Sequence, residues 1–206
     1  MEEQKSFSQR VKETVIQCAY SYKHYYVEYE YLLCSQAFEK NEYYIVSAHE
    51  DNYLHLTGLH TNLDATSFFE KCYGGTLEET DFDFCKRGQN ESEVKGSVRR
   101  KISALENINN FFAQNLYIEE GFRKNKVSCV IATSDNKITI GFSDGMYSRP
   151  KTLLKGNMLN MSTNQIDLIL SKEKKDKTFN KIEYGNEEIL SYYHKDIYHL
   201  ISKNLI

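Results

Sequence analysis

The spacing of apolar residues changes along this chain, and that change limits the folds open to it. Phe7, Val11, Val15, Cys18, Tyr22, Tyr25, Tyr29 and Leu32 recur at helical spacing, with Ser6 and Gln9 forming a capping-box pattern ahead of them. One long first helix is therefore expected within residues 1–40. From Tyr43 the period drops to two, and residues 43–48 and 52–57 read as short strands around the turn-forming His49-Glu50-Asp51. Asp64 is placed to cap a short helix carrying Phe68, Phe69, Cys72 and Tyr73, which Gly74-Gly75 would end. A charged loop follows. From Ser97, the residues Val98, Ile102, Leu105, Asn109, Phe112 and Leu116 mark a middle helix that Gly121 would terminate.

Beyond that point the pattern is β. "VSCVIAT" and "KITIGF" flank Ser134-Asp135-Asn136, where Asp and Asn tolerate positive φ, so a tight antiparallel hairpin is expected. "QIDLILSK" and "TFNKIEY" form a second hairpin around a charged loop. Asn186 then caps a last helix whose Ile189, Leu190, Tyr193, Ile197, Leu200 and Ile201 share one face. The fold class is α+β: a small antiparallel sheet with N-terminal, middle and C-terminal helices. At 206 residues the chain is expected to form one domain, with its core in 43–184 and the terminal helix in 186–204. Residues 143–162 remain a long polar connection holding the only proline, and long loops in compact domains are usually functional or disordered.

Composition narrows the setting. Apolar content of 40% supports a core, whereas a mean hydropathy of -0.61 argues against a membrane span. "MEEQKSFSQRVKET" lacks an apolar leader pattern, and the expected location is the cytoplasm. Five cysteines without a C-x-x-C pair speak against a disulfide framework or a cysteine zinc site. The net charge of -3 hides a segregation: residues 1–120 carry 12 basic against 20 acidic side chains, and residues 121–181 carry 12 against 5. A basic segment of that kind suits a polyanion, although solvated lysines on exposed turns give the same count.

Chemistry concentrates in "NYLHLTGLHTN", residues 52–62, which holds two of the six histidines. In an extended strand His55 and Thr57 would share a face, ~6.6 Å apart, spacing that suits one phosphate or ribose. An ordinary half-exposed strand gives the same pattern. His60 and Thr61 follow in the turn after Gly58. No adjacent carboxylate or cysteine completes a metal set with His55 and His60, so no metal and no cofactor are expected. Arg149 and Lys151 flank Pro150, whose fixed φ would hold both as a phosphate clamp, with Tyr147, Ser148 and Thr152 as nearby hydroxyls. Arg99, Arg100 and Lys101 are placed in a first helical turn, where the dipole disfavours cations and an external anion would relieve them.

The run Leu54 to Gly58, the aromatic pair Phe68-Phe69, the strand Ile138 to Phe142, then Pro150 to Leu154 and Leu170 to Lys172, resembles the PBECR4 family. That family groups phage-associated nucleases related to barnase, EndoU, colicins E5 and D and RelE. The resemblance implies a four-stranded antiparallel sheet and metal-independent RNA cleavage in a mobile-element or toxin-like setting. It carries over to His55, Thr57 and the 150–152 neighbourhood, and brings in Lys172 as a substrate-binding candidate beside them. His55, Thr57, Arg149 and Lys151 are then the expected catalytic set, with His60, Tyr147, Ser148, Thr152 and Lys172 binding substrate. RNA is the expected partner, and a host defence or translation ribonucleoprotein is a further candidate. The rival is a non-catalytic, nuclease-like protein that occupies a nucleic-acid groove of a host defence complex and blocks it, as an anti-CRISPR inhibitor does, because fold does not imply function.

Overall fold

The computed structural model describes residues 5–124, 126–160 and 163–205. Helix α1 spans Phe7–Tyr22, and the Ser6 hydroxyl accepts from the Gln9 N–H at 3.0 Å, as the capping pattern predicts. Its buried stripe is Val11, Val15, Cys18, Ala19 and Tyr22. The expected continuation to Leu32 fails: after one π-helical turn, Lys23–Val27, the chain becomes strand β1, Tyr29–Cys34. The reason is that β1 is covered on both faces, so it shows no alternation in sequence. Tyr31 and Leu33 face the main core, while Leu32 and Cys34 face the C-terminal helix.

The same ambiguity governs residues 52–57. They form helix α2, Asn52–Thr57, not the expected strand; the strand before it, β2, is Tyr44–Ser47. Six residues are too few for periodicity to separate the two structures. Packing decides. Tyr53, Leu56 and Thr57 are buried on one side, and the Tyr53 hydroxyl donates to the Val15 carbonyl at 2.6 Å, with its ring against Tyr22, Phe68 and Phe69. Asn52 starts the helix by accepting from the His49 N–H at 2.9 Å, and Gly58 ends it at φ 72, a left-handed conformation that favours glycine.

Helix α3, Ala65–Tyr73, is capped by Asp64 as expected. Helix α4 runs Glu91–Leu105 from a capping box of Asn90 and Glu93. It begins before Ser97 and ends at Leu105, well short of Gly121, and Asn110 at φ 53 lies in the turns that follow. Strand β3, Tyr117–Glu120, follows, and Gly121 turns the chain out of it. A two-stranded ribbon, β4 Arg123–Lys124 and β5 Val127–Ser128, leads to β6, Ile131–Ser134, and β7, Ile138–Phe142. The turn between β6 and β7 has Asn136 at φ 73. The polar connection 143–162 contains a strand, β8, Pro150–Lys155; its last two residues lie outside the described ones. Strands β9, Leu168–Glu173, and β10, Lys181–Tyr184, form the second expected hairpin, and Asn186 caps helix α5, Glu187–Ile197.

Instead of one small sheet, the strands make two four-stranded antiparallel sheets, ordered β10-β9-β1-β2 and β3-β6-β7-β8, beside the β4-β5 ribbon. Backbone bonds at Ser148 tie them together: its N–H donates to the Ile45 carbonyl at 2.8 Å and its carbonyl accepts from the Ser47 N–H at 3.2 Å. The main core joins α1 to α4 with one face of each sheet, and α5 covers the opposite face of β1 and β9. For the site, the consequence is that α2 and α4 both pack on edge strand β8. Pro150 opens that strand, where a missing N–H is tolerated.

Candidate active site

Where α2, α4 and β8 meet, a cleft of about 1340 Å³ is lined by His55, His60, Lys101, Lys151 and Thr152, with Asp83, Cys85, Lys86 and Arg87 along the loop before α4. His60 and Asp83 pair through their backbones, N–H to carbonyl in both directions at 3.4 and 2.9 Å. Their side chains pair too: His60 Nδ1 lies 2.9 and 3.0 Å from the two Asp83 oxygens. An ionised carboxylate only accepts, so Nδ1 carries the proton and Nε2 is left as the basic nitrogen. Although partial burial opposes it, bonds from the Cys85 N–H and from His60 hold the Asp83 carboxyl below its ordinary range. The charge of Asp83 in turn raises the neighbouring Cys85 thiol.

Lys101 projects from α4 across Gly58, and a Cβ at Gly58 would lie 2.5 Å from its Cδ. Its Nζ donates to the His55 carbonyl at 3.0 Å, at the end of α2 where cations are favoured. Burial pushes the Lys101 ammonium down to about 8, and the charge of Lys86 acts the same way. Lys151 is the extra residue of a β-bulge, since Gly141 pairs with Thr152 and Phe142 with Pro150. Such bulges re-aim side chains. Here Lys151 Nζ donates to the Ser128 carbonyl at 2.8 Å and keeps its remaining protons for a ligand.

Of the residues singled out from sequence, His55, His60, Lys151 and Thr152 come together in this cleft, with His55 exposed. Thr57 does not join them. Being helical rather than extended, it is fully buried, donates to the Leu54 carbonyl at 2.8 Å and accepts from the Leu59 N–H. Arg149, Tyr147 and Ser148 do not line the cleft. Tyr147 is exposed, while Ser148 is buried between the sheets. Lys172 lies in β9, in an ion pair of 2.8 Å with the buried Glu30. Arg99, Arg100 and Lys101 stand in the third turn of α4, so only Lys101 gains an anion-facing position, and through α2 rather than its own helix.

Sequence reasoning missed Asp83 and the role of Lys101. Both meet their partners across long stretches of chain, 23 residues to His60 and 46 to His55. The only local signal was charge density in "DFDFCKRGQN", residues 81–90. The carboxylate judged absent beside His60 is thus supplied from that loop. Among the described residues, no group of three His, Cys, Asp or Glu is arranged to hold a metal ion, and no helix is long and apolar enough to cross a membrane.

Two imidazoles, one fixed on a carboxylate, with ammonium groups around one cleft of an antiparallel α+β fold, are the groups a protein needs to handle a phosphodiester. The chain belongs to the PBECR4 family, phage-Barnase-EndoU-ColicinE5/D-RelE like nuclease 4, whose model matches residues 14–202. Its class is therefore that of the nucleases related to barnase, EndoU and the colicins, and nucleic acid is the substrate that class carries. Neither the curated proteins nor the solved structures compared with it contain a match.

Proposed function

We propose that this nuclease cleaves RNA without a metal, by attack of the 2'-hydroxyl on the adjacent phosphorus, in the cleft between α2, α4 and β8. The observation that carries it is the His60–Asp83 pair in the same cleft as His55, Lys101 and Lys151. His60 Nε2 takes the 2'-hydroxyl proton, O2' bonds to phosphorus, and the P–O5' bond breaks. His55 protonates the departing O5', leaving a cyclic phosphate and a free 5'-hydroxyl. Lys101 and Lys151 stabilise the charge that accumulates on the phosphorane oxygens. This set supplies base, acid and phosphate cations from side chains alone, which supports metal independence. DNA lacks the internal nucleophile, which supports RNA. Free cysteines at all five positions, with Cys18, Cys34, Cys72 and Cys129 buried, fit action in a reducing cytoplasm.

The test is incubation of the purified chain with total RNA in EDTA, alongside His55→Ala and His60→Ala. Fragmentation that survives chelation and is lost in both variants, with unfolding midpoints little changed, supports the proposal. Activity restored only by magnesium overturns the mechanism. A chain that binds RNA and cleaves none leaves the blocking protein as the surviving reading.

A further inference from the structure

Arg149 stands two residues before the end of the cleft's cationic set, immediately ahead of β8, yet faces a different neighbourhood. The bonds that tie Ser148 to Ile45 and Ser47 set it beside residues 48 and 49. Lys174, just past β9, reaches the same place and donates from Nζ to the Ala48 carbonyl. His49 completes the group, its backbone held by Asn52 and by the Tyr22 hydroxyl, which donates to the His49 carbonyl at 2.9 Å. The charges confirm the proximity. Partial burial, then Lys174 and Arg149, hold the His49 imidazole below its ordinary value against Asp51 and Glu30. Partial burial also lowers Lys174, with Arg149 and Lys172 acting the same way against Glu30 and Glu50.

The nearby carboxylates are largely committed elsewhere. Glu30 is bound by Lys172 at 2.8 Å and by the Ser47 hydroxyl at 3.0 Å, and Glu50 pairs with Lys23 at 3.6 Å. Asp51 is not committed in this way: its Oδ1 is buried with no hydrogen-bond partner among the described residues, and its charge offsets part of the cationic field at His49. Among the described residues no carboxylate forms an ion pair with Arg149 or Lys174. Cations that crowd one another without a counter-ion are relieved by an anion from outside.

We propose that Arg149, His49 and Lys174 form a second phosphate subsite, which holds the RNA phosphate next to the one in the cleft. It rests on the nuclease reading above. Arg149 and Lys151 are separated by at most about 7 Å of extended chain, so one strand passing over the start of β8 meets both. The substrate is then a single-stranded RNA longer than a dinucleotide, and the distal phosphate contributes to binding rather than to the bond-breaking step.

The test uses 2'-O-methyl oligonucleotides, which bind without being cleaved, as a dinucleotide and as a hexanucleotide, with affinity read by fluorescence anisotropy at several salt concentrations. Arg149 is exposed and, among the described residues, in no ion pair, so Arg149→Gln is expected to fold as the parent does, which its thermal melt checks. Expected is about tenfold weaker hexanucleotide binding and a salt slope smaller by about 0.7, with dinucleotide binding unchanged and Arg149→Lys restoring most of the loss. Equal losses on both lengths, or no loss on the hexanucleotide, overturn the subsite. Should the hexanucleotide behave as expected while no RNA is ever cleaved, the subsite stands and the nuclease reading falls.

Discussion

Gly58 and Gly75 share a left-handed backbone, φ 72 and φ 70, yet differ in what a side chain would meet. A Cβ at Gly58 would lie 2.5 Å from Lys101 Cδ and 3.3 Å from Cε, whereas at Gly75 nothing lies within 4 Å. Alanine at either site strains the backbone by roughly 1–2 kcal/mol. At Gly58 the flexible lysine stem must also move, and its 3.0 Å bond to the His55 carbonyl is lost with it, adding about 1.5 kcal/mol for a charge-assisted bond. Gly75→Ala should therefore lower stability by about 1–2 kcal/mol and Gly58→Ala by about 3, at some 2–4 °C in melting temperature for each kcal/mol. Urea melts measure this part. The decisive part is RNA cleavage by the folded fraction: Gly75→Ala should match the parent, and Gly58→Ala should fall at least about tenfold, because Lys101 no longer faces the phosphate. If the two variants cleave equally well, the position of Lys101 does not matter to the chemistry and its assigned role is wrong.

Asp83→Asn keeps the shape of the loop but presents an amide that can donate to Nδ1, moving the His60 proton to Nε2; the expected loss in kcat is about 10²–10⁴-fold with KM nearly constant, measured by initial rates on a defined RNA. Because Lys101 titrates near 8, its charge is lost as pH rises through that value. RNA affinity should weaken by about tenfold between about pH 7 and pH 9.5, while Lys101→Arg stays flat. Stability runs the other way: above about pH 8 the unfolded lysine still binds its proton and the folded one does not, so unfolding free energy contributed by this group rises with pH, a trend that urea melts at the two pH values check. Thr57→Val should cost about 1–3 kcal/mol by stranding the bonds to Leu54 and Leu59, with cleavage per folded molecule unchanged in a rate assay normalised to the folded fraction.

What the sequence could reveal was local. Ser6, Asp64 and Asn186 announce their helices because a cap forms within three residues. Asn136 announces the β6–β7 turn because a positive φ selects for it. Strand β1 was hidden by having both faces buried, and α2 by being shorter than the two turns that distinguish a helix from a strand. The error at α2 had consequences for the site. An extended strand would put Thr57 beside His55; in the helix Thr57 turns inward with Tyr53 and Leu56. His60 and Lys151 were legible as chemistry-bearing residues, but not their settings. The Asp83 that fixes the His60 tautomer, and the bulge that re-aims Lys151, depend on pairing between segments that are distant in sequence.

The most direct measurement of the central claim uses a DNA oligonucleotide that carries a single ribonucleotide, incubated with the chain in EDTA and resolved by mass spectrometry. In-line attack by a 2'-hydroxyl under His60 and His55 predicts one cut, directly 3' of the ribonucleotide, leaving a 2',3'-cyclic phosphate on one fragment and a 5'-hydroxyl on the other. Cleavage scattered among the deoxynucleotides, or ends bearing a 5'-phosphate, would show that water and not the ribose is the nucleophile and would contradict the account.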